Sequence, residues 1–386
     1  MSNDLSLSKE ASNMSERVAI LGVGLHPFGR HPEKSVGELA RVAALAALKD
    51  AGVEFKDVQA GFCGHVVQGV GTGLRTFGEV GLTGIPITNI ELACASSSRA
   101  AMLAADAISG GIYGLAMVIG VEKMERGLLS GVGGAEGGYQ AKMGINLMPA
   151  LYAMMAQRHM HLYGTKHEHF AQVSVKSHRN GALNPNAQYQ KPLTLEDVLN
   201  SRMIADPITL YECSPTTDGA SAVILASEKK AKQYTKSPVY MDTWEGGTPQ
   251  YVRGESDFLE GPNTLLAQRV YEKAGIGPED VDVAQVHDAF SPGEVFLVEE
   301  LGFCPHGEGG PFVWEGNTEI NGRIPINTDG GLLSRGHPIG ATGGAMITEL
   351  TLQLRGQAGP RQVAGAKTAL MHNAGIGGVN VIAFKR

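Results

Sequence analysis

The sequence predicts an α/β protein made of two similar halves, each built around a largely parallel sheet with helices on both faces. Short apolar runs bounded by glycine alternate with longer segments of helical periodicity, which is typical of βαβ units. The alternation occurs twice along 386 residues, a length that allows two halves of ordinary size. Segments 94–111 and 337–356 look like counterparts, because each begins with a reactive side chain among small residues and then enters a long helix.

The first half opens with a buried strand and an amphipathic helix. Apolar side chains recur on one side of Val36–Ala51, and Gly52 ends this helix. A second helix, Arg99–Ile108, follows the turn that contains Cys94. The predicted strands of this half are Val18–Gly24, Val58–Cys63, Thr88–Leu92, Leu115–Val121 and Ala220–Ala226.

The second half repeats the scheme. Its predicted strands are Val239–Trp244, Val281–Val286, Thr368–Met371 and Val379–Phe384. Its predicted helices are Thr264–Ala274, Val295–Leu301 and the stretch from about Gly343 to Leu354.

We divide the chain into a disordered tail (1–16), an N-terminal half (17–235) and a C-terminal half (236–386). The tail is polar and rich in Ser and Asn. Residues 123–210 break the rhythm of the first half and are rich in Gly, Met, His and Asn, with a helix-like piece at Phe170–Gly181. We interpret them as an insertion over the active site.

Charge and composition argue against several classes of function. The formal net charge is −7 without a lysine or arginine run, which disfavours nucleic-acid binding. No run of 18 apolar residues and no signal peptide are visible, so we expect no membrane partner. The four cysteines are scattered without a CxxC pair. They indicate reduced thiols in a cytoplasmic protein without a metal site, and the histidine pairs 159/161 and 167/169 lack further ligands to complete one.

Cys94 is the first candidate for chemistry. It lies between a predicted strand and helix among residues too small to cover it. The positive end of a helix dipole and its free N–H groups are expected to lower the pKa of such a thiol and to hold an oxyanion. The alternative is a small buried hydrophobic residue, which is what a free cysteine usually is.

Two histidines are candidates for acid–base roles. His337 stands between glycine and proline at the start of a helix, a position that suits an oriented base better than core packing. His287 ends a predicted strand, where ligand sites form in parallel sheets. A turn histidine bonded to backbone, and a strand-end histidine satisfied by Asp288, are the structural alternatives.

The last glycine-rich loop offers a third element. His372 and Asn373 precede Gly375, and the backbone N–H groups of the loop could point into a site. The alternative is a plain glycine turn.

Four motifs together resemble the thiolase superfamily. They are Ala93–Ser97, His287–Phe290, Gly336–Gly343 and His372–Gly378, and they occur in the family's order over nearly the whole chain. The His-Asp start of the second motif, the His-Asn of the last and the opening Gly24–Gly29 are similar to sterol-carrier-protein-type and bacterial or archaeal thiolase-like enzymes. The resemblance implies a thiolase fold with five layers, α-β-α-β-α.

The resemblance also implies roles for these residues. Cys94 is acylated by a thioester and His337 activates it. His287 and His337 help to stabilise an enolate, and the N–H groups of Cys94 and Gly375 surround the tetrahedral intermediate. The expected reaction is thiolytic cleavage of a 3-oxoacyl-CoA or the reverse Claisen condensation, which needs a nucleophile, two places for negative charge and a proton donor.

The same resemblance implies the partners. Coenzyme A is a substrate or product, and no cofactor is bound permanently. The insertion carries part of the CoA pocket. The protein forms at least a homodimer, and a small partner subunit with an OB-fold and a zinc ribbon helps to hold the CoA ester.

One departure from the family pattern concerns the second catalytic cysteine. Its two usual places hold Asn373 and Ala289, and the other cysteines match neither. Protonation therefore falls to another group, and the candidates are His287, His337, His372, Tyr139 and Tyr152.

Two rival functions remain. A thiolase-fold aldolase would cleave a β-hydroxyacyl-CoA, but aldolases of this type resemble thiolases that have lost the nucleophilic cysteine and the histidine of the Gly-His-Pro motif. This chain keeps both Cys94 and His337. A non-catalytic thiolase-like subunit is the second rival, and the same two residues count against it.

Overall fold

The computed structural model describes residues 16–125, 147–249, 262–376 and 378–386. The predicted tail therefore lies outside the described residues except for Glu16, and so does Tyr139. The boundary predicted between residues 235 and 236 stays a prediction. In the described ranges no helix is long and apolar enough to cross a membrane.

The secondary structure follows the predicted order. The strands are β1 (Val18–Gly29), β2 (Ala60–Gly64), β3 (Ile87–Ile90), β4 (Leu115–Glu122), β5 (Met203–Ala205), β6 (Ile208–Thr209), β7 (Asp218–Ser227), β8 (Val239–Gly247), β9 (Val283–Gln285), β10 (Thr368–Gly375) and β11 (Gly378–Lys385). The helices of the first half are α1 (Val36–Ala51), α2 (Thr72–Gly78), α3 (Ser96–Ser109), α4 (Met148–Tyr163), α5 (His167–Gly181), α6 (Leu195–Leu199) and α7 (Glu228–Ala231). Those of the second half are α8 (Pro262–Ala274), α9 (Ser291–Glu300), α10 (Gly309–Trp314), α11 (Gly331–Ser334) and α12 (Thr342–Arg355).

Helix α1 shows why these boundaries form. Ser35 caps its first turn: the Ser35 hydroxyl accepts from Glu38 N at 3.2 Å, and the Glu38 carboxylate accepts from Ser35 N at 2.7 Å. This reciprocal pair satisfies two backbone donors that the helix leaves open. Gly52 ends the helix with φ +65°, a left-handed conformation that glycine adopts without strain.

The two halves repeat one strand order, which agrees with the predicted duplication, but the prediction of a largely parallel sheet is wrong. Five of the eight strand pairings described in the nine-stranded sheet are antiparallel. The reason is that β7 and β11 each run antiparallel to both of their neighbours. In the first half the order is β3-β2-β4-β7-β1. In the second half the order is β9-β10-β11-β8. An isolated parallel bridge between Ala284 of β9 and Ile326 takes the place that β3 has in the first half. The parallel and antiparallel pairings also correspond position by position. The halves join where β1 pairs antiparallel with β8 at Val18 and Met241.

Five layers follow from how the strands are covered. Helices α3 and α12 lie side by side in a central core that contacts strands of both halves. In β4, Ala116 and Val118 face this core, whereas Met117 and Ile119 face α1 on the outside, which is the period-2 alternation of a strand. On the far side, α8 and α9 cover the outer face of the second half. Each fully buried aliphatic side chain contributes roughly 1.5–3 kcal/mol to this packing.

The insertion is more helical than the sequence suggests. Helices α4 and α5 pack against α9 and α10 around a small apolar cluster that includes Phe170, Val295 and Phe296. Its glycine- and methionine-rich part, residues 126–146, lies outside the described residues. The described part forms a second small core beside the main one, because α5 has a continuous buried face.

Candidate active site

The central helices bring the two halves together at their N-termini. A Cβ on Gly343 would lie 2.5 Å from Ser98 N, and Gly344 N donates to Ser97 Oγ at 3.0 Å. Only residues without a side chain allow this approach. Cys94 and His337, 243 residues apart in the chain, meet because both lie in the turns that lead into these helices, two residues before Ser96 and five residues before Thr342.

The turn before α3 fixes Cys94. Ala93 has φ +45°, an uncommon conformation for a residue with a side chain. Ser96 Oγ accepts from Leu92 N at 2.9 Å and donates to Ala93 O at 2.6 Å, and Ala93 N donates to the Glu91 carboxylate at 2.7 Å. These bonds hold the strained turn and place the Cys94 thiol at the helix N-terminus.

His337 contacts that thiol directly. Its Nε2 lies 3.2 Å from Cys94 Sγ, and its Nδ1 lies 2.7 Å from Thr342 Oγ1. The Thr342 hydroxyl donates its own proton to Pro338 O at 3.1 Å. It must therefore accept from Nδ1–H, which leaves Nε2 as the unprotonated nitrogen beside the thiol. This is the tautomer that a general base for Cys94 needs.

Burial decides the protonation of the pair. It raises the pKa of Cys94 to about 12, although the cysteine's own backbone N–H opposes this. It lowers the pKa of His337 to about 3, with a further contribution from the charge of Arg335. The expectation that the helix N-terminus would lower the thiol pKa is therefore wrong, because desolvation outweighs the dipole. The resting pair is a neutral thiol and a neutral imidazole.

His287 lies beside this pair, with its ring 5.3 Å from that of His337, and a hydrogen-bond chain holds it there. Asn380 Nδ2 donates to Ser98 Oγ at 2.8 Å, and Ser98 donates to Asn373 Oδ1 at 2.7 Å. Asn373 Nδ2 then donates to His287 Nδ1 at 3.1 Å. Because Nδ1 is an acceptor, a neutral His287 carries its proton on Nε2. Burial and the neighbouring His337 hold the pKa of His287 well below its usual value.

His372 lies apart from this group. It and Asn373 are neighbours on β10, so their side chains point to opposite faces of the sheet. His372 Nε2 donates to Asn263 Oδ1 at 3.0 Å, and Asn263 donates to the Glu300 carboxylate. Burial lowers the pKa of His372 to about 4. His372 is not among the residues that line the cavity over Cys94, and this placement disfavours it as the proton donor.

A cavity of about 360 Å³ opens over Cys94. Its described lining consists of Cys94, Met124, Met148, Pro149, Leu151, Tyr152, Cys213, Ser214, Pro215, Thr216, His287, Ala289, Phe290, His337, Ala374, Gly375 and Ile376. Met148 to Tyr152 come from the insertion, and the rings of Tyr152 and Phe290 lie 4.8 Å apart. The cavity is mainly apolar, and Cys94, His287 and His337 are among its polar lining groups.

Gly375 brings the end of β10 against the cysteine turn. A Cβ at this position would lie 2.1 Å from Leu92 O, so no other residue fits without moving the main chain. The predicted site residues Cys94, His287, His337, Asn373 and Gly375 thus converge on one point. Only His372 is directed elsewhere.

Nitrogen and sulfur ligands of the kind that zinc prefers also meet here. Ligand atoms of Cys94, His287 and His337 lie within 4.8 Å of one another. However, the hydrogen bond from Asn373 occupies Nδ1 of His287, so a metal would have to bind at Nε2. That nitrogen carries the proton of the neutral imidazole. The donor set fits acid–base catalysis better than a resident ion.

Comparison with known proteins identifies the family. The thiolase N-terminal domain matches residues 18–229, and the thiolase C-terminal domain-like region matches residues 249–382. Acetyl-CoA acetyltransferase of Methanothermobacter thermautotrophicus is 40% identical over 371 residues, 93% of this chain and 96% of that protein. Sterol carrier protein 2 of Bos taurus is 36% identical over 98% of this chain and 74% of its own length.

Two further relatives extend the comparison. The benzoylsuccinyl-CoA thiolase subunit BbsB of Thauera aromatica is 36% identical over 94% of this chain and 96% of its own. The solved Ltp2–ChsH2(DUF35) aldolase superimposes with a TM-score of 0.84 at 29% identity, covering 96% of this chain and 98% of that chain.

The fold consists of two duplicated halves, and a cysteine from one half meets a histidine from the other where the two central helices begin. This combination is that of the thiolase class of enzymes. The chain belongs to the thiolase family. The predicted thiolase fold and the prediction of a thiolase-type enzyme are both confirmed.

Proposed function

We propose that this enzyme transfers an acyl group between CoA thioesters through an acyl-Cys94 intermediate. The observation that carries the proposal is the 3.2 Å contact between Cys94 Sγ and the unprotonated Nε2 of His337. The acetyltransferase and thiolase relatives favour the same chemistry. In the forward direction the substrate is a 3-oxoacyl-CoA, and the reverse direction is a Claisen condensation.

The first step forms the acyl-enzyme. As Cys94 Sγ attacks the 3-oxo carbon, His337 Nε2 takes the thiol proton, because neither group is charged at rest. The bond between the α- and β-carbons then breaks. The acyl group stays on sulfur, and the electron pair leaves on acetyl-CoA as an enolate.

Negative charge on that enolate needs a hydrogen-bond donor. The Nε2–H of His287 supplies one, since Asn373 holds its Nδ1 as an acceptor. The N–H groups of Cys94 and Gly375 form the second oxyanion hole, around the tetrahedral intermediate. The close approach of Gly375 to the cysteine turn favours this assignment.

One histidine can balance the protons without a second cysteine. The proton that His337 takes from Cys94 passes to the enolate carbon and completes acetyl-CoA. His337 then takes the thiol proton of incoming CoA, whose sulfur attacks the acyl-cysteine. Cys94 leaves as a thiolate, recovers that proton and releases the shortened acyl-CoA. A cysteine at position 289, one of the two places where the family pattern has the second catalytic cysteine, is therefore not needed as an acid.

We also propose that the insertion and partner subunits shape the CoA site. Met148, Pro149, Leu151 and Tyr152 of the insertion line the cavity, which supports its predicted contribution to the CoA pocket. A homodimer and a small OB-fold zinc-ribbon partner are proposed too. The similarity to an aldolase solved with a DUF35 partner and to a thiolase subunit supports a partner.

Retro-aldol cleavage of a β-hydroxyacyl-CoA is the second candidate. It is favoured by the similarity to the Ltp2–ChsH2(DUF35) aldolase and by the absence of a cysteine at position 289. The Cys94–His337 pair counts against it, because cleavage of a β-hydroxyacyl-CoA requires a base but no acyl-cysteine.

An assay of both reactions separates the candidates. The enzyme, alone and with a candidate partner, is incubated with CoA and acetoacetyl-CoA or a longer 3-oxoacyl-CoA. In parallel it receives a β-hydroxyacyl-CoA. We expect CoA-dependent formation of two acyl-CoA products in the first reaction. Release of a ketone or aldehyde in the second, with none of the first, would establish the aldolase instead.

A further inference from the structure

A buried glutamate joins two loops beside the catalytic pair. Glu122 ends β4 and is fully buried. Its Oε2 accepts from Val66 N at 2.9 Å and Gly340 N at 3.0 Å. Its Oε1 accepts from Val67 N at 3.2 Å and Gln68 Nε2 at 2.7 Å. One carboxylate thus satisfies donors from the loop after β2 and from the loop that carries His337.

The contact with Gly340 reaches His337 through a short, tightly packed segment. A Cβ on Gly340 would lie 2.5 Å from Val121 O and 2.7 Å from His65 Cα. The segment therefore sits directly on the end of β4. A turn closes it, with Ala341 N donating to Pro338 O at 2.8 Å. His337 lies only three residues before Gly340, so the position of Gly340 restricts where His337 can lie.

Within the residues that the structure describes, no cation neutralises the charge of Glu122. In the described parts of the chain it forms no ion pair with lysine or arginine, and burial raises its pKa to about 7. Its negative charge also raises the pKa of Cys94. By electrostatics alone, this carboxylate works against formation of the thiolate. Burying an unpaired carboxylate costs free energy of folding. The hydrogen bonds that join the two loops are the contribution that offsets this cost.

We propose that Glu122 is a positioning residue for the base of acyl transfer. Its carboxylate fixes Gly340 against the loop after β2 and thereby sets the placement of His337 Nε2 against Cys94 Sγ. The inference rests on the proposed pairing of these two residues in catalysis.

Alkylation of Cys94 by iodoacetamide tests the proposal without any acyl substrate. The full-length enzyme, Glu122→Gln, Glu349→Gln and His337→Ala are compared. Glu349 is the matched control: it is equally buried and hydrogen-bonded, but pairs with Arg361. Alkylation at Cys94 is followed by peptide mass spectrometry and normalised to the folded fraction from thermal melting.

A positioning role and a purely electrostatic role of Glu122 predict opposite changes in the rate of Cys94 alkylation. A positioning role predicts that Glu122→Gln slows alkylation about tenfold, since small misplacements of reacting groups are costly, while Glu349→Gln stays within twofold of wild type. A purely electrostatic role predicts faster alkylation in Glu122→Gln, because a negative charge near the thiol is lost. Faster or unchanged alkylation, or equal slowing in Glu349→Gln, overturns the proposal.

A second variant covers failure of Glu122→Gln to fold. Glu122→Asp keeps the charge but is too short to reach both loops, so alkylation should slow by at least threefold, on the order of half the full effect in free energy. A wild-type rate in this variant overturns the proposal. If instead His337→Ala alkylates at the wild-type rate, the proposed catalytic pairing itself has failed. This result is distinguishable from a failure of Glu122.

Discussion

Thr342 Oγ1 accepts the Nδ1 proton of His337 at 2.7 Å and donates its own proton to Pro338 O. This relationship fixes both the rotation of the imidazole and its tautomer. It therefore determines which nitrogen faces Cys94. Thr342 thus orients the imidazole as a carboxylate does in a Ser-His-Asp triad, but it adds no charge.

Replacing Thr342 should impair the base without touching the nucleophile. In Thr342→Val the Nδ1–H of His337 loses its acceptor, at a cost of about 1–3 kcal/mol, and the other tautomer becomes accessible. We expect kcat and the rate of Cys94 alkylation each to fall about tenfold, the equivalent of 1.4 kcal/mol. Thr342→Ser keeps the hydroxyl and should stay near wild type. Equal rates in the two variants would contradict the tautomer assignment.

His287 should matter for cleavage and not for the reactivity of the thiol. Loss of one oxyanion donor costs about 10²–10³-fold in other enzymes, so His287→Ala should lower kcat by about 100-fold. Asn373→Leu leaves the imidazole in place but frees its tautomer, and about a tenfold loss is expected. Both are measured by steady-state cleavage of a 3-oxoacyl-CoA.

The reference for these two variants is the alkylation rate of Cys94. It should remain within twofold of wild type in both, because neither residue takes the thiol proton. Full kcat in Asn373→Leu would show that Asn373 does not control His287.

His372 should affect stability and its pH dependence rather than catalysis. Its folded pKa of about 4 lies below the ordinary value of 6.5, so between these values the unfolded chain binds a proton that the folded chain does not. Stability from the neutral imidazole is therefore lost as pH falls through this window, by about 2 kcal/mol at pH 5.

His372→Gln, which keeps a donor toward Asn263, should remove this loss. We expect its free energy of unfolding to decline less than that of wild type, by about 2 kcal/mol, between pH 8 and pH 5. Denaturant titrations at both pH values measure the difference. Its kcat should change less than threefold. A large loss of kcat would return His372 to the list of proton donors.

Much of this arrangement could be predicted from the sequence. Small residues around Cys94 and the Gly-His-Pro setting of His337 indicate two helix starts, and both helices form, α3 three residues and α12 one residue earlier than predicted. The period of a strand also separates His372 from Asn373 in principle. The sequence did not show which of them faces the site, because the predicted strand ended at Met371 whereas β10 continues to Gly375.

The supporting residues could not be predicted in the same way. Ser98, Asn380 and Glu122 act through bonds to residues more than 200 positions away or to loops without a sequence pattern. The pKa of Cys94 was predicted in the wrong direction, because a sequence shows the helix dipole but not the depth of burial. Both kinds of information depend on the packing of one half against the other.

The most direct test of the account is intact-protein mass spectrometry after mixing with acyl-CoA and 3-oxoacyl-CoA esters, with Cys94→Ala in parallel. We predict a mass gain of one acyl group in the wild-type enzyme, none in the variant, and loss of the adduct when free CoA is added. Turnover that survives in Cys94→Ala, or cleavage by the wild-type enzyme without an adduct on Cys94 under any condition, would contradict covalent acyl transfer.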